Sequence, residues 1–108
     1  MSADLIARLR AQLGGPRDGA LLRFSLGTAL LQNGDPAGAA SAFREAVGFD
    51  AKYSAAWKML GKSLAEAGDA RAAGEAYLRG LEVARTRGDK QVEKEIAVFL
   101  RRLQKSAD

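Results

Sequence analysis

Apolar residues recur along this chain at intervals of three and four, the spacing of one face of an α-helix. Leu22, Leu26, Ala29 and Leu30 fall on such a face, followed by Ala39, Ala42, Phe43, Ala46 and Val47. The pattern then returns as Trp57, Leu60, Gly61 and Leu64, and after these Ala73, Ala76, Tyr77, Gly80 and Leu81. A shorter stripe opens the chain (Leu5, Ile6, Leu9, Leu13), and another closes it (Val92, Ile96, Phe99, Leu100, Leu103). Nowhere do apolar and polar residues alternate long enough for a strand. The stripes therefore predict an all-α chain with about six helices, near 3–13, 20–33, 36–48, 53–67, 70–86 and 89–105.

The stops and starts between stripes are regular. Gly34-Asp35 recurs as Gly68-Asp69 and again as Gly88-Asp89. Glycine suits the left-handed residue that ends a helix, and aspartate is a good N-cap for the next one. Pro36 after Asp35 adds the favoured first helical residue. Each Gly-Asp pair thus joins two antiparallel helices. The two central hairpins also match position by position at a spacing of 34 residues, as from Leu26-Gly27 to Leu60-Gly61. Leu30 becomes Leu64, Ala39 becomes Ala73, Ala42 becomes Ala76, and Phe43 becomes Tyr77. A period of this length means stacked helical units. Small residues opposite aromatic ones let the helices approach while the ring fills the space beside them. Gly38, Gly48, Gly74 and Gly80 fall inside predicted helices, where each costs about 1 kcal/mol relative to alanine. Close packing accounts for Gly80; the sequence supplies no reason for Gly38.

These residues resemble the tetratricopeptide repeat (TPR) pattern W-x2-L-G-x2-Y followed by A-x3-F. The second copy, 54–87, carries Trp57, Leu60, Gly61, Leu64, Ala73 and Tyr77 at its positions. The first, 20–53, carries Arg23, Leu26, Gly27, Leu30, Ala39 and Phe43. Arg23 stands where the pattern has tryptophan, which points to a more polar neighbour for that helix. The pattern's late proline is absent from both copies, with Ala51 and Arg85 in its place, so the turns between copies are expected to be less defined. The resemblance implies one TPR-like domain over 1–108, an antiparallel helix-hairpin stack. Two copies are fewer than a stable stack normally needs. The N-terminal helix (3–13) would supply a half-unit, and residues 88–108 a solvating cap and tail. The joint Gly14-Gly15-Pro16-Arg17-Asp18-Gly19 would let the first helix pack on the stack or swing away.

Composition narrows the chemistry. The chain has 108 residues, no cysteine and no histidine. Disulfides, thiolate metal sites and the commonest general base are thereby excluded. No serine sits in a G-x-S-x-G elbow, and neither phosphate-binding glycine motif appears. Catalysis, a metal, a cofactor and a small-molecule substrate are not expected. No apolar run approaches a membrane span, and charges interrupt the N-terminus where a secretion signal would be apolar, so a cytoplasmic location is the default expectation. The net charge of +4 is uneven. Residues 85–108 hold seven bases against four acids.

By the resemblance, the first helix of each repeat lines a concave groove that holds a peptide or helix of a partner protein. The implied groove residues are Leu21, Phe24, Ser25, Thr28 and Leu31 from copy one, and Ala55, Lys58, Met59, Lys62 and Glu66 from copy two. An apolar end (Leu21, Phe24) beside two lysines one turn apart fits a segment carrying an apolar anchor and an acid. The family's clamp for a C-terminal carboxylate places lysine and asparagine where this chain has Phe24, Thr28 and Met59, so that clamp is not expected. A self-associating structural module, monomer or weak homodimer, is the alternative reading, with the Leu21/Phe24 patch as its contact. Nucleic-acid contact through the basic C-terminal helix is disfavoured, because Asp89, Glu93 and Glu95 interleave its bases and no aromatic platform stands among them.

Overall fold

A computed structural model describes residues 2–107. Six helices follow one another: α1 (Ser2–Ala11), α2 (Ala20–Gln32), α3 (Pro36–Phe49), α4 (Ser54–Glu66), α5 (Ala70–Arg87) and α6 (Lys90–Ala107). The predicted boundaries hold within two residues. The first helix stops at Ala11 because Gln12 and Leu13 bond back three residues, to Leu9 and Arg10, in a tightened last turn. Gly14 then takes φ +80° and turns the chain away.

The Gly-Asp turns are copies of one another. Gly34, Gly68 and Gly88 adopt φ of +78°, +90° and +71°. In each, the following aspartate N–H donates back across the helix end, to Leu30, Leu64 and Ala84, at 2.9, 2.9 and 2.8 Å. Asp35 caps α3 by accepting from the Gly38 N–H at 2.9 Å, and Asp69 caps α5 by accepting from the Ala72 N–H at 3.1 Å. Gly38 thereby acquires its reason: a Cβ there would overlap the Asp35 carboxylate.

The helices form two layers. Every helix packs on its neighbour in sequence, and α4 also touches α2 and α6. No such contact joins α1, α3 and α5 to one another. The layer α2, α4, α6, the inner layer, is thus the closer-packed one. In this arrangement α1 stands where a second helix would stand in front of the first hairpin. Its Ile6 is buried in the core, and it meets α2 alone. α6 stands where a third first helix would, behind α5.

Glycines at the signature positions set the depth of each hairpin. A Cβ on Gly27 would lie 2.8 Å from three ring carbons of Phe43, and one on Gly61 would overlap the Tyr77 ring more deeply still. A Cβ on Gly80 would meet Trp57 at 2.8 Å and Ile96 at 2.9 Å, so α4, α5 and α6 converge on this backbone. Phe43 and Ile96 are fully buried at the two centres.

The turns between copies are well defined without proline. Asp50 accepts from the Lys52 N–H at 3.0 Å, the Trp57 indole donates to the Ala51 carbonyl at 2.8 Å, and Arg87 donates to the Lys52 carbonyl at 2.7 Å. Side chains of α4 and α5 take over what a proline ring would do. Ser54 donates to Asp89 at 2.7 Å and binds the start of α4 to the last Gly-Asp turn.

Candidate functional site

The residues the sequence assigns to a groove come from α2 and α4, both in the inner layer. Leu21 is 71% exposed at the start of α2. Phe24, one turn on, is half-buried: it stacks on Tyr53 with centroids 4.9 Å apart and meets Phe43 edge-on at 5.4 Å. Tyr53 belongs to the turn before α4, and burial pushes its phenol pKa up. The exposed part of the Leu21/Phe24 patch is therefore mainly Leu21. Ser25 and Thr28 are half-exposed, and the Thr28 hydroxyl donates back to the Phe24 carbonyl at 3.0 Å. Leu31 packs partly against the core at the end of α2.

On α4 the two lysines turn toward α6. Lys58 donates to Glu95 at 2.9 Å, with side-chain exposures of 17% and 37%. The Lys58 hydrogen bond holds the Glu95 carboxyl below its ordinary range. Lys58 is thus a paired cation rather than a free one. Lys62 places its ammonium 5.9 Å from the centroid of the Phe99 ring. Met59 lies partly buried against the core, Ala55 is half-exposed, and Glu66 is exposed at the helix end. Phe24, Lys58 and Lys62 consequently have separate neighbours: Tyr53 for the first, α6 for the other two.

Four residues that complete this face are not among the groove residues the resemblance implies: Tyr53, Glu95, Phe99 and Arg102. Phe99 had a signal, since it lies 34 residues after Ala65 and so continues the phase of Leu31 and Ala65 into α6. Arg102 lies beyond the reach of any such signal, because α6 runs 18 residues against 13 for α2 and α4. Its guanidinium lies 5.9 Å from the same Phe99 ring.

A second constellation ties the stack together from behind. The Arg23 guanidinium forks onto Asp18 (Nε to Oδ1 2.9 Å, Nη2 to Oδ2 2.8 Å) and reaches Glu45 at 2.8 Å. The Phe49 ring lies 5.7 Å away. Asp18 also accepts from the Gly14 N–H at 2.9 Å, so the glycine-rich joint is fastened to α2. Its carboxyl is held well below the usual carboxylate range, chiefly by the Arg23 hydrogen bond and then by Gly14; Asp18 in turn raises the guanidinium pKa. In the second copy Trp57 stands at this place. Its indole binds Ala51 in the preceding turn, and the Arg79 guanidinium lies 5.3 Å from its ring.

Among the described residues, no group of three or more histidine, cysteine, aspartate or glutamate side chains is placed to hold a metal ion. No helix among them is long and apolar enough to cross a membrane.

Comparison with known proteins agrees with this architecture. A family model for the tetratricopeptide repeat matches residues 3–54 and 24–90. The chain is 47% identical over 102 residues to a TPR repeat-containing protein of Pseudomonas aeruginosa, a match covering 94% of this chain and 97% of that one. The solution structure of a protein from Bordetella parapertussis is similar at a TM-score of 0.81 and 44% identity, over 94% of this chain and 89% of that one. The Sgt2 TPR domain from Aspergillus fumigatus has the same fold, with a TM-score of 0.80 at 23% identity over 98% of this chain and 70% of that one.

Proposed function

The chain belongs to the tetratricopeptide repeat family, and on that premise we propose that it is a non-catalytic interaction module that holds a peptide or helix of a partner protein along its inner layer. TPR proteins are generally non-catalytic scaffolds that bind protein or peptide partners. The observation that carries the reading is the side-by-side placement of α2, α4 and α6, with α4 touching both of the others. Three helices give a surface long enough for an extended segment or a single helix. Leu21, Ser25 and Thr28 would contact the partner from α2, Ala55, Met59 and Lys62 from α4. Phe24 and Lys58 would act from behind, Phe24 through its stack on Tyr53 and Lys58 through its pair with Glu95. An apolar and an acidic residue in the partner suit Leu21 at one end and the lysine-bearing end of α4 at the other.

Photo-crosslinking side chains placed at Ser25 and Ala55, with Glu75 on the exposed side of α5 as control, test this reading in cells that make the protein. Adducts of one defined mass from Ser25 and Ala55, and none from Glu75, are expected. Adducts equally abundant from all three positions, or from none, overturn it. An adduct at twice the chain mass would identify a second copy as the occupant, the outcome expected of a self-associating module.

A further inference from the structure

The end of α4, the start of α5 and the last turns of α6 enclose an open cleft of about 320 Å³. Its floor is apolar: Ala65, Tyr77, Phe99 and Leu103. Burial raises the Tyr77 phenol to about 12, so it stays neutral there at physiological pH. The rim carries Lys62 from α4 and Arg102 from α6. Both cations lie 5.9 Å from the Phe99 ring centroid, and among the described residues neither is within 4.0 Å of a carboxylate. Glu66 is the one acid in the lining, and it follows Lys62 in the less favourable order for a helical pair. Two cations against this one acid leave the rim net positive over an aromatic floor.

Resting on the family reading above, we propose that this cleft, rather than the Phe24/Lys58 surface, is where a partner's acid is read: it takes an aspartate or glutamate side chain lying next to one bulky apolar residue. The carboxylate sits between Lys62 and Arg102, and the apolar side chain lies on Tyr77, Phe99 and Leu103. Charge complementarity selects the acid, because one ionised carboxylate can accept from both cations at once, which a neutral amide or a single water cannot match. Size selects the short unit. The volume stands at the low end of the roughly 300–1,000 Å³ found for ligand pockets, room for one side chain and its neighbour. Lys58 takes no part, since Glu95 already neutralises it.

The test is a nitrogen-15 amide NMR titration of the full chain with N-acetyl-Glu-Leu amide. Saturable shifts at Lys62, Glu66, Phe99 and Arg102 are expected. N-acetyl-Gln-Leu amide should bind about tenfold more weakly, the loss of one charge-assisted contact. A Lys62→Gln/Arg102→Gln variant should lose the preference while keeping its dispersed spectrum, both side chains being at the surface. Equal binding of the two probes, or no saturable shift at these residues up to millimolar probe, overturns the proposal. N-acetyl-leucine as the free acid binding as well as the glutamyl probe also overturns it, because a chain-terminal carboxylate would then be the ligand. Shifts confined to Ser25, Thr28 and Ala55 would sink the cleft and leave the inner-layer reading standing. Failure of the crosslinks at those positions would sink that reading instead.

Discussion

The two hairpins fasten the same helix to the same place by opposite chemistry. In the second, Trp57 donates from its indole to the Ala51 carbonyl and receives Arg79 on its face. In the first, Arg23 forks onto Asp18 and meets Glu45, which holds the position of Arg79 one period earlier. One tie is neutral and mostly a matter of packing; the other is ionic. The lesson is that a repeat position conserves a job, the tie from helix to preceding joint, and leaves the means open. The ionic version suits the front of the stack, where α1 covers α2 alone and a bulky ring would find fewer partners.

The comparison can be broken most forcefully at Trp57. Trp57→Ala removes a large half-buried side chain from the point where α4, α5 and α6 converge, and should cost about 3 kcal/mol, the low end for aromatic truncation. Urea denaturation measures it, and Arg23→Ala should cost clearly less. Next come the glycines under the rings. Gly61→Ala drives a methyl into Tyr77 and should cost a net of about 1–2 kcal/mol after the helix gain of about 1. Gly27→Ala should cost less, since the Phe43 ring stands farther off at 2.8 Å. A reversed order would mean that Phe43, not Tyr77, is the ring unable to move.

Arg23→Gln should act locally. Hydrogen exchange should speed up at residues 3–13 and leave 54–106 unchanged, because the guanidinium fastens only the first joint. The two ties should also part company in acid. The Asp18 carboxyl has a depressed pKa in the folded chain, so its contribution is whole above the ordinary value of 3.8 and is lost as pH falls toward the folded value. The melting-temperature gap between wild type and Asp18→Asn should therefore narrow as pH drops below about 4. The gap for Trp57→Phe should not follow that course, since an indole does not titrate. Smallest is the capping pair: Ala72→Gly should cost about 1 kcal/mol, while Gly38→Ala should fail to gain that amount because the new methyl displaces the Asp35 cap. Thermal melts of the two variants check it.

The architecture was legible because backbone rules and the period speak directly in sequence. Gly34-Asp35 and its two later copies mark their turns without any tertiary context. The 34-residue phase likewise fixes which rings meet which glycines. The candidate site was less legible, for two reasons. Side chains such as Lys58 and Phe24 find their partners on elements outside the repeat, Glu95 on α6 and Tyr53 in a turn, and no period reports them. Arg102 lies on the extra length of α6, where the copies have only the turn glycines Gly34 and Gly68. Arg23 was visible as a departure from the pattern, but its partner Asp18 lies in a joint whose glycines suggested looseness. A single carboxylate, accepting from both Arg23 and Gly14, fastens that joint to α2.

The three Gly-Asp turns have a consequence for how the chain folds. Each closes a hairpin between helices adjacent in sequence, and only α2 with α4 and α4 with α6 make contact across an intervening helix. Search over long loops is therefore almost absent, which favours rapid folding. Either central hairpin can nucleate the stack, and growth then proceeds outward by adding one helix at a time. The end helices are the last to arrive and the first to leave: α1 rests on α2 alone, whereas α6 is held by both α4 and α5. The chain should fray from its front.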